Sequence, residues 1–396
     1  MIWSGIMPDF AKESLDLHRH LRGKIAIMGK LPITTTDDLS LAYTPGVAAP
    51  CEAIAADPKA AYELTIKGNT IAVVSDGSAV LGLGNIGALA AIPVMEGKAL
   101  LFKQYADLDA WPLCLDTQDV DEIVETVRRI APVFGGINLE DIAAPRCFEI
   151  EARLQDLGIP VFHDDQHGTA IVLLAGMLNA AKITGRKPTD LKVVINGAGA
   201  AGTAIASLLR CVDFDPAVCT PVADVVVCDS KGVIHRDREG LSVEKQALLQ
   251  YTNRDNRSGS LRDVLVDADV FVGVSKGNLL TADDIRLMAP DPIVLAMANP
   301  TPEIMPDDAR AGGAAIVGTG RSDFPNQVNN VLAFPGIFRG ALDAGAAQIT
   351  PAMKIAAAYA LADAVPNPRP DKILPSPLDK TVPPLVAKAV AKAAQA

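Results

Sequence analysis

The hydrophobic residues of this chain fall into two kinds of run. Short continuous runs rich in valine and isoleucine predict buried strands, at 71–75, 191–196, 224–228 and 293–298. Between such runs, apolar residues recur every three or four positions, which predicts amphipathic helices over 119–133, 145–157, 169–184 and 203–211. Strands that alternate with helices in this way indicate an α/β fold built on parallel sheets.

The chain has 396 residues, which is long enough for two domains. We expect residues 1–160 to form an N-terminal α/β domain and residues 161–396 a Rossmann-like, doubly wound domain. The boundary is placed near residue 160 because a new strand–helix series opens soon after it. Seven prolines between 366 and 384 predict an extended surface strap, followed by a C-terminal helical tail over 385–396.

Two acidic segments follow predicted strands. Asn138-Leu139-Glu140-Asp141 comes after Gly135-Gly136-Ile137, and His163-Asp164-Asp165-Gln166-His167 comes after the run 158–162. The helix predicted between them makes the two strands parallel neighbours, with their carboxyl ends at one sheet edge. Acidic residues after strands often serve as helix caps. Four carboxylates at one edge would repel one another without a cation, however, and all-oxygen ligands favour Mg²⁺ or Mn²⁺.

The histidines of the second segment raise zinc as an alternative. His163 and His167 are four residues apart, but the pattern places them on either side of a strand end and a turn at Gly168. They are not expected to share a helix face. We therefore expect a capping or supporting role for both.

A glycine-rich segment follows the predicted strand 191–196. It matches G-x-G-x-x-G and opens a helix, and its residues are Gly197, Ala198, Gly199, Ala200, Ala201 and Gly202. Strand, motif and helix in this order predict a dinucleotide site, with the pyrophosphate at the helix N-terminus. Asp229 ends the next strand, where a carboxylate can accept a hydrogen bond from the ribose. A second match to the motif, at 82–87, lacks such a following unit and is interpreted as a tight loop.

Charge and composition exclude several classes of protein. The net charge of −11 and the lack of a basic stripe argue against a nucleic-acid partner. No apolar run of about 18 residues predicts a membrane span, and no signal peptide is evident. The six cysteines, at 51, 114, 147, 211, 219 and 228, include no C-x-x-C pair. We interpret them as free thiols in a reducing cytoplasm, not as a disulfide framework.

Taken together, these motifs resemble the malic enzyme family, and within it the short bacterial form. The resemblance extends over nearly the whole chain, through the segments 41–47, 75–87, 93–99, 138–141, 163–169, 298–303 and 329–336. It implies oxidative decarboxylation of L-malate to pyruvate and CO₂, with reduction of NAD or NADP and with Mg²⁺ or Mn²⁺ bound. The first domain is then the substrate and metal domain, and the protein is expected to be a homodimer or a higher homo-oligomer.

The resemblance also implies roles for individual residues. Lys98 matches the general base, which takes the proton of the C2 hydroxyl, and Tyr43 matches the general acid, which protonates C3 of enolpyruvate. Glu140, Asp141 and Asp165 match the metal ligands, and Asp164 is expected to orient Lys98. Asn299 and Asn330 match residues that hold malate and the nicotinamide side of the cofactor, with Asn329 as a neighbour of less defined role.

Two features leave questions open. Longer members of the family carry an arginine for the malate carboxylate where this chain has Ser78-Ala79, so we expect the carboxylate to be held in another way, by Lys98, Asn330 and backbone amides of the 82–87 loop. Asp229 favours NAD because it would repel a 2′-phosphate, yet Lys231, His235, Arg236 and Arg238 follow it and could neutralise one. The choice between NAD and NADP stays open on the sequence.

Other functions were weighed against this one. A metal-independent 2-hydroxy acid or amino acid dehydrogenase would explain the dinucleotide motif but leave the carboxylates without a role. A non-catalytic cofactor-binding protein derived from the enzyme would be expected to lack Tyr43, Lys98 or a metal carboxylate, and all are present.

The active site is expected in the cleft between the domains. If Tyr43 and Lys98 approach the carboxylates only across a subunit boundary, the site is shared in a dimer.

Overall fold

The computed structural model describes residues 10–395. Its strands are β1 (Thr70–Ser75), β2 (Asp109–Cys114), β3 (Gly136–Leu139), β4 (Val161–His163), β5 (Lys192–Asn196), β6 (Asp224–Asp229), β7 (Gly232–Val233), β8 (Val270–Gly273), β9 (Ile293–Ala296) and β10 (Ile316–Thr319). Its helices are α1 (Phe10–Leu21), α2 (Thr36–Ala42), α3 (Ala48–Ala56), α4 (Ala61–Leu64), α5 (Gly87–Ala106), α6 (Val120–Ile130), α7 (Arg146–Leu154), α8 (Asp164–Ile183), α9 (Ala200–Leu209), α10 (Val243–Leu248), α11 (Leu261–Leu265), α12 (Ala282–Ile285), α13 (Pro306–Ala311), α14 (Phe334–Asp343), α15 (Pro351–Asp363) and α16 (Val382–Ala394).

The first sheet has the order β2-β1-β3-β4, and all its pairs are parallel. Every residue of β1, β3 and β4 is buried, as expected of strands covered by helices on both faces. Helix α6 begins at an Asp119 cap, whose side chain accepts from the Glu122 N–H, and buries an apolar stripe against this sheet. The strand order reverses between β1 and β3, so their carboxyl ends border a crevice.

The second sheet has the order β10-β9-β8-β5-β6-β7, parallel except for the short antiparallel strand β7. Its order reverses at β5, which lies between β6 and β8. Helices α8, α9, α14, α15 and α16 contribute to the large core around this sheet. The two-domain α/β fold with a doubly wound sheet is thus confirmed.

Several sequence expectations need correction. Helix α8 begins at Asp164, not at 169, so His167 and Gly168 lie inside a helix and there is no turn at Gly168. The reason is tertiary: a Cβ on residue 168 would lie 1.8 Å from Asp164 Oδ1, so the glycine leaves space for a carboxylate beside the helix. The proline-rich strap is also not wholly superficial, since Ile373 and Leu374 are buried in the core.

The cysteine prediction was wrong for one pair. Cys211 and Cys219 form a disulfide with 5.8 Å between their Cα atoms, and the other four cysteines are free. The loop after α9 turns back on itself over eight residues, which brings the two thiols together. Within residues 10–395, no helix has both the length and the apolar composition needed to cross a membrane.

Candidate active site

The acidic segments meet at the carboxyl ends of β3 and β4. One oxygen each from Glu140, Asp141 and Asp165 lies within 4.8 Å of the others. The Asp141 N–H donates to Asp165 Oδ2 at 2.7 Å, which ties the two segments together. Asp141 adopts a φ of +53°, an uncommon left-handed conformation for a residue other than glycine. This backbone turn sets the residue directly after Glu140 beside the start of α8.

Lys98 lies among these carboxylates. Its ammonium is 2.8 Å from Glu140 Oε1 and 2.5 Å from Asp164 Oδ2, and the side chain is almost completely buried. The ring of Phe334 lies 4.2 Å from Nζ and covers the ammonium from one side. Helix α5 therefore delivers one cation to a group of four acidic residues.

Burial governs the ionisation of this cluster. It raises the pKa of Glu140 and of Asp164 to about 7 and that of Asp165 to about 6, with repulsion between the carboxylates adding to the effect. Burial alone would lower the pKa of Lys98, but attraction to Asp164 and Glu140 outweighs it and raises that pKa. One ammonium does not balance the acidic groups, and the donor set is all oxygen. Glu140, Asp141 and Asp165 therefore fit a hard divalent cation.

His163 and His167 support the acidic segment through hydrogen bonds to Glu151 and do not form a metal site with it. Glu151, buried on α7, accepts from the His163 backbone N–H at 3.1 Å, from Gln166 at 3.0 Å and from His167 Nε2 at 3.0 Å. Burial lowers the pKa of His163 to about 4 and also lowers that of His167. The supporting role expected of His167 is thus the one it has, through a glutamate that the sequence did not single out.

A second carboxylate near the site also escaped the sequence analysis. Asp76, directly after β1, accepts from the Ser78 hydroxyl at 2.5 Å and from Arg146 Nη2 at 3.0 Å. The Ser78 hydroxyl in turn accepts from the Ala143 N–H, and the Ala79 N–H donates to the Asp141 carbonyl. These bonds fix the two loops that border the crevice between β1 and β3. The strand at 71–75 that precedes Asp76 was predicted from the sequence, but the bond from Asp76 to Arg146 on α7 was not.

The asparagines differ in what they contact. Asn330 Nδ2 donates to Asp164 Oδ2 at 2.5 Å, so it belongs to the cluster around Lys98. Asn299 follows β9. A Cβ added to Gly82 would lie 2.6 Å from the Asn299 carbonyl oxygen, so the 82–87 loop of the first domain contacts the second domain at Asn299. Asn329 accepts from the Val331 N–H and caps a short 3₁₀ turn. Its amide side chain is therefore occupied locally.

Tyr43 is the one proposed catalytic residue that does not join this cluster. It ends α2, its side chain is 66% exposed, and within residues 10–395 no hydrogen bond joins it to Lys98 or to the acidic residues. The chain on its C-terminal side is fixed at the amino ends of the strands, where Lys67 Nζ donates to the Phe134 carbonyl and Asn69 Nδ2 to the Asp107 carbonyl. The carboxylates lie at the opposite ends.

A second cleft lies at the carboxyl ends of β5, β6 and β8. Gly197 has a φ of +128°, and a Cβ on Gly202 would lie 1.8 Å from the Gly197 carbonyl oxygen, so both positions require glycine. The backbone of 197–199 lines a cavity of about 1260 Å³ with Asp229 on its wall. Asn196 Nδ2 donates to the Ser275 hydroxyl at 2.8 Å across the switch point. This arrangement fits a dinucleotide pyrophosphate at the start of α9.

These two clefts define the class: a two-domain α/β enzyme that pairs a divalent-metal site with a dinucleotide-binding domain. Comparison with known proteins identifies the family. Residues 22–155 match the family model of the malic enzyme N-terminal domain, and residues 166–395 match that of the malic enzyme NAD-binding domain. The chain belongs to the malic enzyme family.

Individual relatives agree with this assignment. The chain is 57% identical over 387 residues to the bifunctional malic/malolactic enzyme of Bacillus subtilis, covering 97% of this chain and 92% of that protein. It is 50% identical over 404 residues to the NADP-dependent malic enzyme of Rhizobium meliloti, covering 97% of this chain and 52% of that protein. The crystal structure of an NAD-dependent malic enzyme from Thermotoga maritima superposes with a TM-score of 0.91 at 47% identity, over 96% of this chain and 98% of that one.

Proposed function

We propose that this protein catalyses the oxidative decarboxylation of L-malate to pyruvate and CO₂ with reduction of NAD or NADP. The observation that carries the proposal is the buried cluster in which Glu140, Asp141 and Asp165 converge beside Lys98. Membership of the malic enzyme family supports the same reaction and the same cofactors.

The residues of the cluster divide the chemistry among them. Glu140, Asp141 and Asp165 would hold Mg²⁺ or Mn²⁺, which when bound polarises the C2 oxygen and stabilises the enolate that forms as CO₂ leaves. Lys98 would take the proton of the C2 hydroxyl, held in place by Asp164 and by the Phe334 ring. The pKa of Lys98 must fall for this role, and it would fall if Glu140 shared its charge with a bound cation.

The remaining roles concern positioning. Asn330 donates to Asp164 and would face the substrate from the second domain, and Asn299 meets the 82–87 loop at the domain boundary. Gly197 to Gly202 would hold the cofactor pyrophosphate, with the nicotinamide reaching toward Asn299 and C2 of malate. Tyr43 would protonate C3 of enolpyruvate. A cytoplasmic location and a domain boundary near residue 160 stay predictions.

The competing reading is a metal-independent 2-hydroxy acid or amino acid dehydrogenase, and one assay separates the two. Absorbance at 340 nm is followed with L-malate and Mn²⁺, with NAD and NADP in turn, with and without EDTA, while pyruvate is assayed. We expect reduction that EDTA abolishes and that is matched by pyruvate. Reduction that survives EDTA and yields a keto acid without loss of CO₂ would instead establish the dehydrogenase.

We further propose that the protein is a homo-oligomer in which Tyr43 enters the active site of a second copy. Helices α1, α2 and α3 contain no buried residue, and large apolar side chains in this segment are open, among them Met28 at 88% and Leu41 at 78% exposure. Strand β1, six residues long, spans about 16 Å. It separates the anchor of this segment at Asn69 from the carboxylates, which favours delivery of Tyr43 to a partner.

Complementation tests this arrangement directly. Tyr43→Phe and Lys98→Ala variants are purified separately and shown to be inactive, and then unfolded and refolded together. If Tyr43 acts in the partner, each mixed dimer has one intact site, and activity returns to about a quarter of the wild-type value with random pairing. If Tyr43 acts within its own chain, mixed dimers have no intact site and the mixture stays inactive. Each variant refolded alone is the control, and sedimentation reports the oligomeric state.

A further inference from the structure

The ion pairs of Asp229 bear on which cofactor the second cleft accepts. In a nucleotide domain that uses NAD, a carboxylate at this position accepts a hydrogen bond from the ribose 2′-hydroxyl. Asp229 is not available for that bond here. Its Oδ1 accepts from the Lys231 N–H at 2.8 Å and from Arg238 Nη2 at 2.8 Å, and its Oδ2 accepts from Arg238 Nη2 at 2.7 Å and from Lys245 Nζ at 2.6 Å.

These donors use the whole capacity of the carboxylate. An ionised carboxylate offers about four acceptor sites, and each is taken. Arg238 is itself immobilised, because its Nη1 donates to the carbonyls of Gly232 and Val233. A ribose hydroxyl would have to displace a charged donor to reach Asp229, which would exchange a charge-assisted bond for a weaker neutral one.

The cations around Asp229 outnumber the acidic groups. The charged side chains that line this cleft, apart from His235, are Lys231, Arg238, Lys245 and Lys276 against Asp229 and Glu239. Lys245 has three donor hydrogens and uses one on Asp229, and the Lys231 ammonium has no hydrogen-bond partner among the described residues. Two ammonium groups on the wall of this cleft therefore have donors available for an anionic ligand.

We propose that the ribose pocket is built for a 2′-phosphate, so that the enzyme prefers NADP to NAD. Lys231 and Lys245 are its phosphate ligands, and Arg238 is a positioning residue that occupies Asp229 and cancels its repulsion. Arg236, the other basic residue of this loop, takes no part, since its guanidinium donates to the Asn253 and Arg254 carbonyls. This inference rests on the dinucleotide site of the proposed function and specifies its ligand.

Binding of cofactor fragments tests the inference without malate, metal or turnover. Titration calorimetry compares adenosine 2′,5′-bisphosphate with 5′-AMP on the wild-type protein at fixed salt. We expect the bisphosphate to bind at least about tenfold more tightly, since it adds charge-assisted bonds. Equal affinities would overturn the proposal. Failure of malate oxidation with this preference intact would count against the proposed reaction and leave the pocket assignment standing.

Two variants separate a ligand from a merely structural residue. Lys245→Gln is expected to weaken the bisphosphate about tenfold and leave 5′-AMP unchanged. Arg238→Gln is expected to move the two ligands in opposite directions, because it uncovers Asp229, which then repels the phosphate and accepts the ribose hydroxyl. Loss of affinity for both ligands, or for neither, would contradict these roles. Arg310→Gln, the same change on exposed α13 outside the cleft, is the matched control. The ratio of kcat/KM for NADP and NAD should follow the binding data.

Discussion

The acidic site of the first sheet and the cofactor cleft of the second both lie where the strand order reverses, yet their charges are opposite. In the acidic site, Lys98 lies among four acidic residues, and nearly all of these groups are buried. In the cofactor cleft, four cations surround two carboxylates in a cavity open to solvent. The fold thus fixes where each ligand binds, whereas the side chains after the strands decide the sign of its charge.

The two sites also differ in how their charged residues are held in place when no ligand is bound. Lys98 pairs with both Glu140 and Asp164, so these two buried acids depend on a single ammonium group. Asp229 is held by three residues, so the cofactor cleft retains partners for this carboxylate when one of them is removed. Loss of one partner from a buried pair costs about 3–5 kcal/mol when no second partner remains.

The largest expected effect is that of Lys98→Met. Activity should fall about a thousandfold, because a general base is removed. Without metal, the free energy of unfolding should fall by about 3 kcal/mol, since Glu140 and Asp164 lose their counter-ion. Mn²⁺ should restore most of this stability but none of the activity. Calorimetric melting with Mn²⁺ or EDTA, beside initial rates, measures both.

Lys103→Met is the matched control for that experiment. It lies on the same helix, pairs with Asp107 and Asp109 at the surface, and has a half-exposed side chain. Its loss should change neither activity nor the response to Mn²⁺. If Mn²⁺ left the instability of Lys98→Met unchanged, the three carboxylates would not be the cation site.

A smaller effect is expected from Glu151→Gln, which loosens the support behind the metal ligands. Burial opposes ionisation of Glu151, but attraction to His167 and a hydrogen bond with it hold the pKa of this carboxyl at about 2, below its ordinary 4.5. A depressed pKa stabilises the fold above the ordinary value and ceases to do so as pH falls toward 2. The variant should therefore be about 2 kcal/mol less stable at pH 7, with the difference shrinking below pH 4.5.

Chemical denaturation across this pH range, with Mn²⁺ affinity measured beside it, checks the role of Glu151. Weaker Mn²⁺ binding is expected because the first turn of α8 carries Asp165. Glu149→Gln, on the same helix but paired with Arg153 at the surface, should show no such pH dependence. A stability difference that stays constant down to pH 3 would mean that the carboxylate of Glu151 is not what holds α8.

Features that follow from local sequence or from the general geometry of parallel strands can be predicted from the sequence. Features that depend on specific tertiary contacts cannot. The convergence of Glu140 and Asp165 was predictable, because parallel strands place their carboxyl ends together whatever surrounds them. The start of α8 was not, since its first turn is polar and becomes helical only when Glu151 and Asp141 bond to it. No pattern in the sequence placed Tyr43, and its exposed side chain, not bonded to the acidic cluster, is what led to the proposal that it acts in a second copy.

The second sheet shows the same contrast between local backbone requirements and tertiary contacts. Gly197 and Gly202 were predictable from local backbone demands, whereas the bonds from Arg238 and Lys245 to Asp229 cross a loop of irregular structure. The sequence placed basic residues near Asp229 but could not say which of them reach it. The Arg236 guanidinium bonds to a backbone carbonyl instead of to Asp229. Lys245, sixteen residues after Asp229 in the chain, bonds to the Asp229 carboxylate.

The smallest expected effect is that of reducing the disulfide between Cys211 and Cys219. The bond closes a short loop beyond the C-terminal end of α9, remote from the glycine-rich turn at the start of that helix. A loop of this length contributes about 2 kcal/mol through the unfolded chain. Activity should not change, and the free energy of unfolding should fall by that amount in a Cys211→Ala/Cys219→Ala double variant.

Alkylation of the denatured protein should count four thiols before reduction, from Cys51, Cys114, Cys147 and Cys228, and six after it. Six thiols before reduction would mean that the two cysteines are free, and the double variant should then be as stable as the wild type apart from lost packing at Cys219. The loop would in that case be held by its hydrogen bonds, among them those from Arg210 to the carbonyls of Val222 and Ala223.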